Sequence, residues 1–239
     1  MLNEDQMKIG ILTCGHAAPE VTEKFGDYPG MFHALLDGHG FTFEDYDVEN
    51  LQFPANIHDC DGWLLTGSRH GAYEDHAFIP LLETFIRQAY AAHVPMVGIC
   101  FGHQIIAQAL GGHVEKFSGG WAIGLNDYKF DDLGTVKLNA WHQDQVLRLP
   151  EGAKTVASND FCENAALVYD ARAYTVQPHP EFGGPIIGEY VRLRKGSADY
   201  PDDVMDRAAQ NATQGTDNHI LGAKIAEFFM QPREVAHAS

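Results

Sequence analysis

Between residues 8 and 112, short apolar runs alternate with longer segments whose apolar residues recur at helical spacing. "KIGIL" (8–12) reads as a strand, and so do "FTFEDYDV" (41–48), "DGWLLTGS" (61–68) and "VPMVGI" (94–99). Between them, "YPGMFHALLDGHG" (28–40) sets Met31, Phe32, Leu35 and Leu36 on one helical face before Gly38 and Gly40 stop it. "HAFIPLLETFIRQAYAAH" (76–93) has a broad apolar face, and "FGHQIIAQAL" (101–110) reads as a helix closed by Gly111 and Gly112. Strands that are apolar throughout and separated by helices imply an α/β fold: a mostly parallel central sheet covered by helices on both faces, in flavodoxin-like layering.

The pattern changes at residue 113. "HVEKF", "NDYKF", "TVKLNAWH", "AKTVASN", "NAALVYD" and "AYTVQ" are short β-rich runs divided by turns, which predict antiparallel strands added to the parallel core. Two helical segments follow, 184–195 and 218–230, with a polar loop around "GSADYPDD" between them. There is no repeat, low-complexity tract or Pro/Ser-rich linker. The expectation is one domain over 1–239, with a core at about 8–195 and a C-terminal helical extension at 196–239. The formal net charge of −17 argues against nucleic acid or an anionic membrane as partner, because both call for clustered Lys and Arg. No apolar run reaches the roughly 18–20 residues of a membrane span. The N-terminus lacks a signal-peptide pattern, and Cys14, Cys60, Cys100 and Cys162 are widely spaced, so a cytoplasmic chain with reduced thiols is expected.

One of these cysteines stands apart. "GICFG" (98–102) places Cys100 where a buried strand ends and a helix begins, the arrangement of a nucleophile elbow. The sharp turn is expected to push the thiol out of the sheet edge into solvent, and the flanking glycines let the backbone bend. The helix N-terminus favours a thiolate, and the Phe101 N–H is expected to face a developing oxyanion. Cys14, Cys60 and Cys162 read as small buried hydrophobes. A thiol nucleophile calls for a histidine, and the histidine for an orienting group. In "TVQPHPEF" (175–182), His179 follows a strand and Glu181 stands two residues on. Two prolines favour extended backbone, which would project both side chains to one side.

Together, "GICFGHQIIAQALGG" and "QPHPEF" resemble the class I (triad) glutamine amidotransferases, over roughly residues 8–190. The resemblance implies a Cys100–His179–Glu181 triad that hydrolyses a γ-glutamyl amide. "LLTGSRHGAY" (64–73) occupies the place of the family's oxyanion loop, so Gly67 or Ser68 would join Phe101 in donating N–H groups. Arg69 and His70 depart from the Ser-Gly-Gly-Pro often found there. Gln104 matches a position that recognises the γ-glutamyl portion. Gly102, Trp121 in "FSGGWAIGLNDYKF" (117–130) and His142 in "WHQD" complete the expected substrate-binding set. Tyr128 and Asp144 stand near them, with pocket and core or loop roles both open.

The resemblance implies a small γ-glutamyl substrate and either of two settings. One is a self-sufficient γ-glutamyl hydrolase or peptidase; the other is a glutaminase subunit that hands ammonia to a separate synthetase, since no ATP-binding loop is present in the sequence. A binding or regulatory module is a third reading, opposed by the intact Cys-His-Glu set. Cysteine proteins of the deglycase type share the elbow without the downstream His-Pro-Glu. No cofactor is expected. No metal site is expected either, since HExxH is absent and the pairs Cys14/His16 and His58/Cys60 have poor ligand spacing.

Overall fold

A computed structural model describes residues 6–233. The outermost residues of the expected 1–239 domain therefore lie outside the described part. The elements follow in chain order: β1 (Lys8–Leu12), α1 (Pro19–Phe25), α2 (Tyr28–Leu35), β2 (Thr42–Tyr46), β3 (Gly62–Leu65), α3 (Phe78–Ala91), β4 (Met96–Ile99) and α4 (Phe101–Ala109). Then come β5 (His113–Lys116), β6 (Ala122–Phe130), β7 (Gly134–His142), β8 (Asp144–Arg148), β9 (Lys154–Ser158), β10 (Ala166–Tyr169) and β11 (Ala173–Val176). Last are α5 (Gly184–Arg194), α6 (Asp202–Asn211) and α7 (Asn218–Met230).

Nine strands form one sheet in the order β2-β1-β3-β4-β11-β10-β9-β6-β7, and β5 pairs with β8 separately. From β2 to β11 the neighbours run parallel; from β11 to β7 they run antiparallel. The expected parallel core with an antiparallel addition is present. One strand differs from the sequence reading: β11 closes the parallel set by pairing with β4 while pairing antiparallel with β10. That double role brings the segment after β11 beside the elbow after β4.

The alternation of side chains along a strand divides the core between the two faces. Ile9, Ile11, Leu64, Val97 and Ile99 pack with Val21 of α1, Met31 and Phe32 of α2, Ile187 of α5 and Leu221 of α7. Leu12, Trp63, Leu65 and Met96 pack with Leu82 and Ile86 of α3 and Ile105 and Ile106 of α4. Helices thus cover both faces, as the apolar strands require.

Two segments depart from the expectation. The stretch that reads as a polar loop contains α6, which buries only Met205 and Ala208 and is otherwise polar, so its apolar signal is two residues deep. Helix α1 is seven residues long and buries only Val21. Among the described residues, no helix is long and apolar enough to cross a membrane.

Candidate active site

Cys100 joins β4 to α4 with φ +53° and ψ −103°, a left-handed backbone that a residue with a Cβ adopts at a cost of about 1–3 kcal/mol. The turn is tight because α4 lies almost on the sheet. A methyl at Gly98 would meet the Gly102 carbonyl carbon at 2.5 Å, and one at Gly102 would meet the Leu65 carbonyl oxygen at 2.3 Å. The Cys100 N–H donates to the Val176 carbonyl (2.9 Å), locking the elbow to the end of β11. The thiol is not thrown into solvent as expected: Cys100 is 5% exposed. It stands on the floor of a cavity, and Gln177 Nε2 points at its sulfur from 3.7 Å. The other three cysteines fit the small-hydrophobe reading. They are buried, and burial pushes the thiols of Cys60 and Cys162 up to about 11 and about 12, and that of Cys14 higher still.

His179 lies three residues beyond β11, and its Nδ1 is 2.6 Å from Glu181 Oε1. The route to this contact differs from the extended segment expected. The Phe182 N–H returns to the His179 carbonyl (3.2 Å), so residues 179–182 form a turn, with Pro180 presetting its second residue. The turn, rather than the i,i+2 period of a strand, carries the carboxylate back to the ring. Three further contacts fix the turn and its imidazole. The His179 main-chain N–H donates to the Asn139 carbonyl of β7 (2.8 Å), Asn139 Nδ2 donates to the Phe182 carbonyl (2.8 Å), and the Phe182 ring stacks on the imidazole at 4.1 Å and 3°. On the remaining side is Gly67, where a Cβ would sit 2.9 Å from His179 Cε1.

Burial opposes a charge on His179, yet Glu181 and the Cys100 thiol outweigh it and hold the imidazole well above the ordinary histidine range. With Nδ1 committed to Glu181, Nε2 is left for the sulfur. Glu181 Oε2 is buried without a partner among the described residues. Sequence reasoning does not reach Asn139 or the ring stacking of Phe182. Asn139 comes to the site only through a bridge between distant segments, and Phe182 reads as one more core aromatic.

Cys100 and His179 open into a cavity of ≈980 Å³. Ser68, Gln104, Trp121, His142 and Asp144 also line it. Gly102, Gly67 and Phe101 do not. Gly102 serves the approach of α4 to β3, and its N–H donates to the Thr66 carbonyl (3.1 Å). Gly67 makes room for His179, and the Phe101 ring belongs to the core. Gln104 is held in place: its Nε2 donates to the Asp144 carbonyl (3.0 Å) and to Gln177 Oε1 (3.2 Å). Tyr128 is fully buried in the core and does not reach the cavity. His142 is 3% exposed; its Nδ1 faces the Asp144 carbonyl at 3.3 Å, which assigns the proton to Nδ1 and leaves Nε2 as a buried acceptor without a partner among the described residues. Burial, aided by nearby His179, drives its pKa down to about 3.

An open α/β sheet carries a cysteine at a strand–helix elbow, beside a buried His–Glu pair at the carboxyl ends of adjacent parallel strands, which is the place of a ligand crevice on a doubly wound scaffold. Comparison with known proteins narrows this class. The glutamine amidotransferase class-I family matches residues 40–189, and the chain belongs to that family. A subunit of the glutamine-hydrolysing GMP synthase of Halobacterium salinarum is 33% identical, over 72% of this chain and 92% of its own. Gamma-glutamyl peptidase 3 of Arabidopsis thaliana is 27% identical over 88% and 91%. The crystal structure of a glutamine amidotransferase from Thermotoga maritima superposes with a TM-score of 0.75 at 19% identity, covering 94% of this chain and 97% of that one.

Proposed function

We propose that this chain, acting as a single domain, hydrolyses the γ-glutamyl amide bond of glutamine or of a γ-glutamyl amine or peptide, with Cys100 as nucleophile, His179 as general base and acid, and Glu181 as orienter. The observation that carries this reading is the 2.6 Å contact between His179 Nδ1 and Glu181 Oε1 beside a thiol fixed by the elbow.

In the first half-reaction the Cys100 sulfur, as thiolate, attacks the γ-carbonyl carbon and a C–S bond forms. In this reading the main-chain N–H groups of Ser68, which lines the cavity, and of Phe101, the residue after the nucleophile, stabilise the resulting oxyanion. Collapse of the tetrahedral species breaks the C–N bond, and the imidazolium of His179 gives its proton to the departing amine. In the second half, neutral His179 takes a proton from water as its oxygen attacks the thioester. The C–S bond then breaks, and glutamate and the thiolate are released. Glu181 keeps Nε2 turned toward sulfur throughout and favours the imidazolium.

Two settings share this chemistry. The similarity to a GMP synthase subunit supports a glutaminase that passes ammonia to a synthetase. The similarity to a gamma-glutamyl peptidase and the ≈980 Å³ cavity, roomier than glutamine needs, support direct hydrolysis of larger γ-glutamyl compounds, and we favour this second setting. Release of glutamate is to be measured from glutamine, γ-glutamyl amines and γ-glutamyl peptides with the purified chain alone, beside Cys100→Ala. Turnover of a γ-glutamyl peptide without any partner protein is expected. Turnover of glutamine only, and only with a synthetase added, would establish the glutaminase setting. Full activity in Cys100→Ala would refute the mechanism.

A further inference from the structure

The loop after Ser68 gathers two imidazoles and a carboxylate that the proposed hydrolysis does not use. His70, Glu74 and His76 each bring one donor atom to within 4.8 Å of the other two. His76 Nε2 is 2.8 Å from Glu74 Oε2, and His70 Nδ1 is 3.7 Å from the same oxygen. Bonds of about 2.0–2.1 Å to a zinc ion would separate neighbouring ligand atoms by roughly 2.9–3.4 Å, so these two distances bracket what a shared ion needs. Short turns build the loop: the His70 N–H donates to Ser68 Oγ (3.1 Å), and the Glu74 N–H donates to the Gly71 carbonyl (3.0 Å).

A second feature points to a metal. The other nitrogen of His70, Nε2, is 2.8 Å from Glu49 Oε1, and the side chains of His70 and Glu49 are only 14% and 13% exposed. Glu49 thereby holds the Nε2–H tautomer and leaves the Nδ1 lone pair facing Glu74 and His76. A carboxylate behind the distal nitrogen is the support that ligating histidines ordinarily have. Arg69 contacts Glu49 at 3.3 Å, and Phe78 flanks the rings of both histidines.

The geometry points to a divalent transition-metal site formed by His70 Nδ1, Glu74 Oε2 and His76 Nε2, with Glu49 as its outer support and zinc as the ion of best matched chemistry. Two nitrogens and one carboxylate oxygen suit borderline ions rather than magnesium or calcium, and three protein ligands leave a position for water. Binding displaces the proton shared by His76 and Glu74 and adds two positive charges beside two carboxylates. His70 and Glu74 line the wall of the cavity that holds Cys100, so the ion would brace the same loop that carries Gly67 and Ser68.

The test uses the full chain carrying Cys100→Ala, which removes the thiol as a competing ligand, after treatment with a chelator. Zinc is titrated by calorimetry, and cobalt is followed by its visible absorption bands. One saturable equivalent is expected for each ion. Adding His76→Ala or Glu74→Gln should weaken zinc binding at least about tenfold, and Glu49→Gln by about 10–100-fold. Zinc should also raise the Tm of the Cys100→Ala protein and leave that of the Cys100→Ala, His76→Ala protein unchanged. Absence of saturable binding to the Cys100→Ala protein overturns the proposal. So does undiminished affinity in a folded His76→Ala or Glu74→Gln variant.

Discussion

His179 and His142 face the same cavity, are equally buried at 3% exposure, and lie close enough to repel one another's charge, yet they titrate in opposite directions. The surroundings of His142 offer a main-chain carbonyl and the Phe161 ring but no carboxylate partner among the described residues, and burial prevails: its pKa falls to about 3. The surroundings of His179 offer a carboxylate at 2.6 Å and a thiol, and these overturn the same burial. The lesson is that enclosure by itself makes histidine a neutral polar group. One carboxylate, delivered by a tight turn, converts enclosure into a means of holding a proton beside sulfur. His103 repeats the His142 case deeper in the fold, with Nδ1 on Thr175 Oγ1 (2.8 Å) and a pKa lowered to about 3 by burial.

The contrast can be broken at several points. Removing the sulfur has the largest effect. Cys100→Ala should cost on the order of 10⁶ in kcat for γ-glutamyl hydrolysis, measured by glutamate release. It should also lower the His179 pKa, read by NMR titration, because one of the two groups that raise it is gone.

Glu181→Gln should make His179 resemble His142. The carboxylate that opposes burial disappears, so the imidazole pKa falls in the NMR titration, and kcat/KM drops by roughly 10²–10⁴. A pKa that stays high would show that the thiol alone sets it.

Gly67→Ala acts by position rather than charge. A methyl 2.9 Å from His179 Cε1 displaces the ring, and kcat/KM should fall about 10²-fold while the Tm moves by only a few degrees. Asn139→Ala removes the side-chain donor to the Phe182 carbonyl while the main-chain bond to His179 remains, and should lower kcat/KM by about tenfold, with little change in KM.

The smallest effect is on stability against pH. For His142 the folded pKa lies below the ordinary value of about 6.5, so between 6.5 and 3 the unfolded chain holds a proton that the folded chain excludes. Its contribution is complete above about 6.5 and is lost as the pH falls through that window. For His179 the folded pKa is raised, so its contribution is complete below about 6.5 and is lost as the pH rises through the folded value. Urea unfolding at several pH values should show a shallower loss of stability from about pH 7 to 5 in His142→Asn than in the wild type.

Much of this contrast is legible in the chain, and for local reasons. The Cys100 elbow follows from a strand, two glycines and a helix in succession. The His179–Glu181 pair follows from four adjacent residues, although the sequence suggests an extended segment where Pro180 makes a turn. What stays hidden is long-range. Asn139 reaches the His179 backbone through a pairing between segments that neighbour nothing in sequence, and Glu49 meets His70 across 21 positions. Helix α6 leaves almost no apolar trace because it needs only Met205 and Ala208 to dock.

Local sequence carries the alternation of apolar strands with amphipathic helices, the cysteine at a helix N-terminus, and an imidazole and a carboxylate that travel together. These are matters of period and local backbone chemistry. Tertiary structure alone decided that β11 would lie beside β4, bringing the two local motifs to one sheet edge, and that the thiol would sit on a cavity floor instead of in solvent. Strand order and enclosure depend on packing among residues far apart in the chain, and no local pattern encodes how much water a folded site retains.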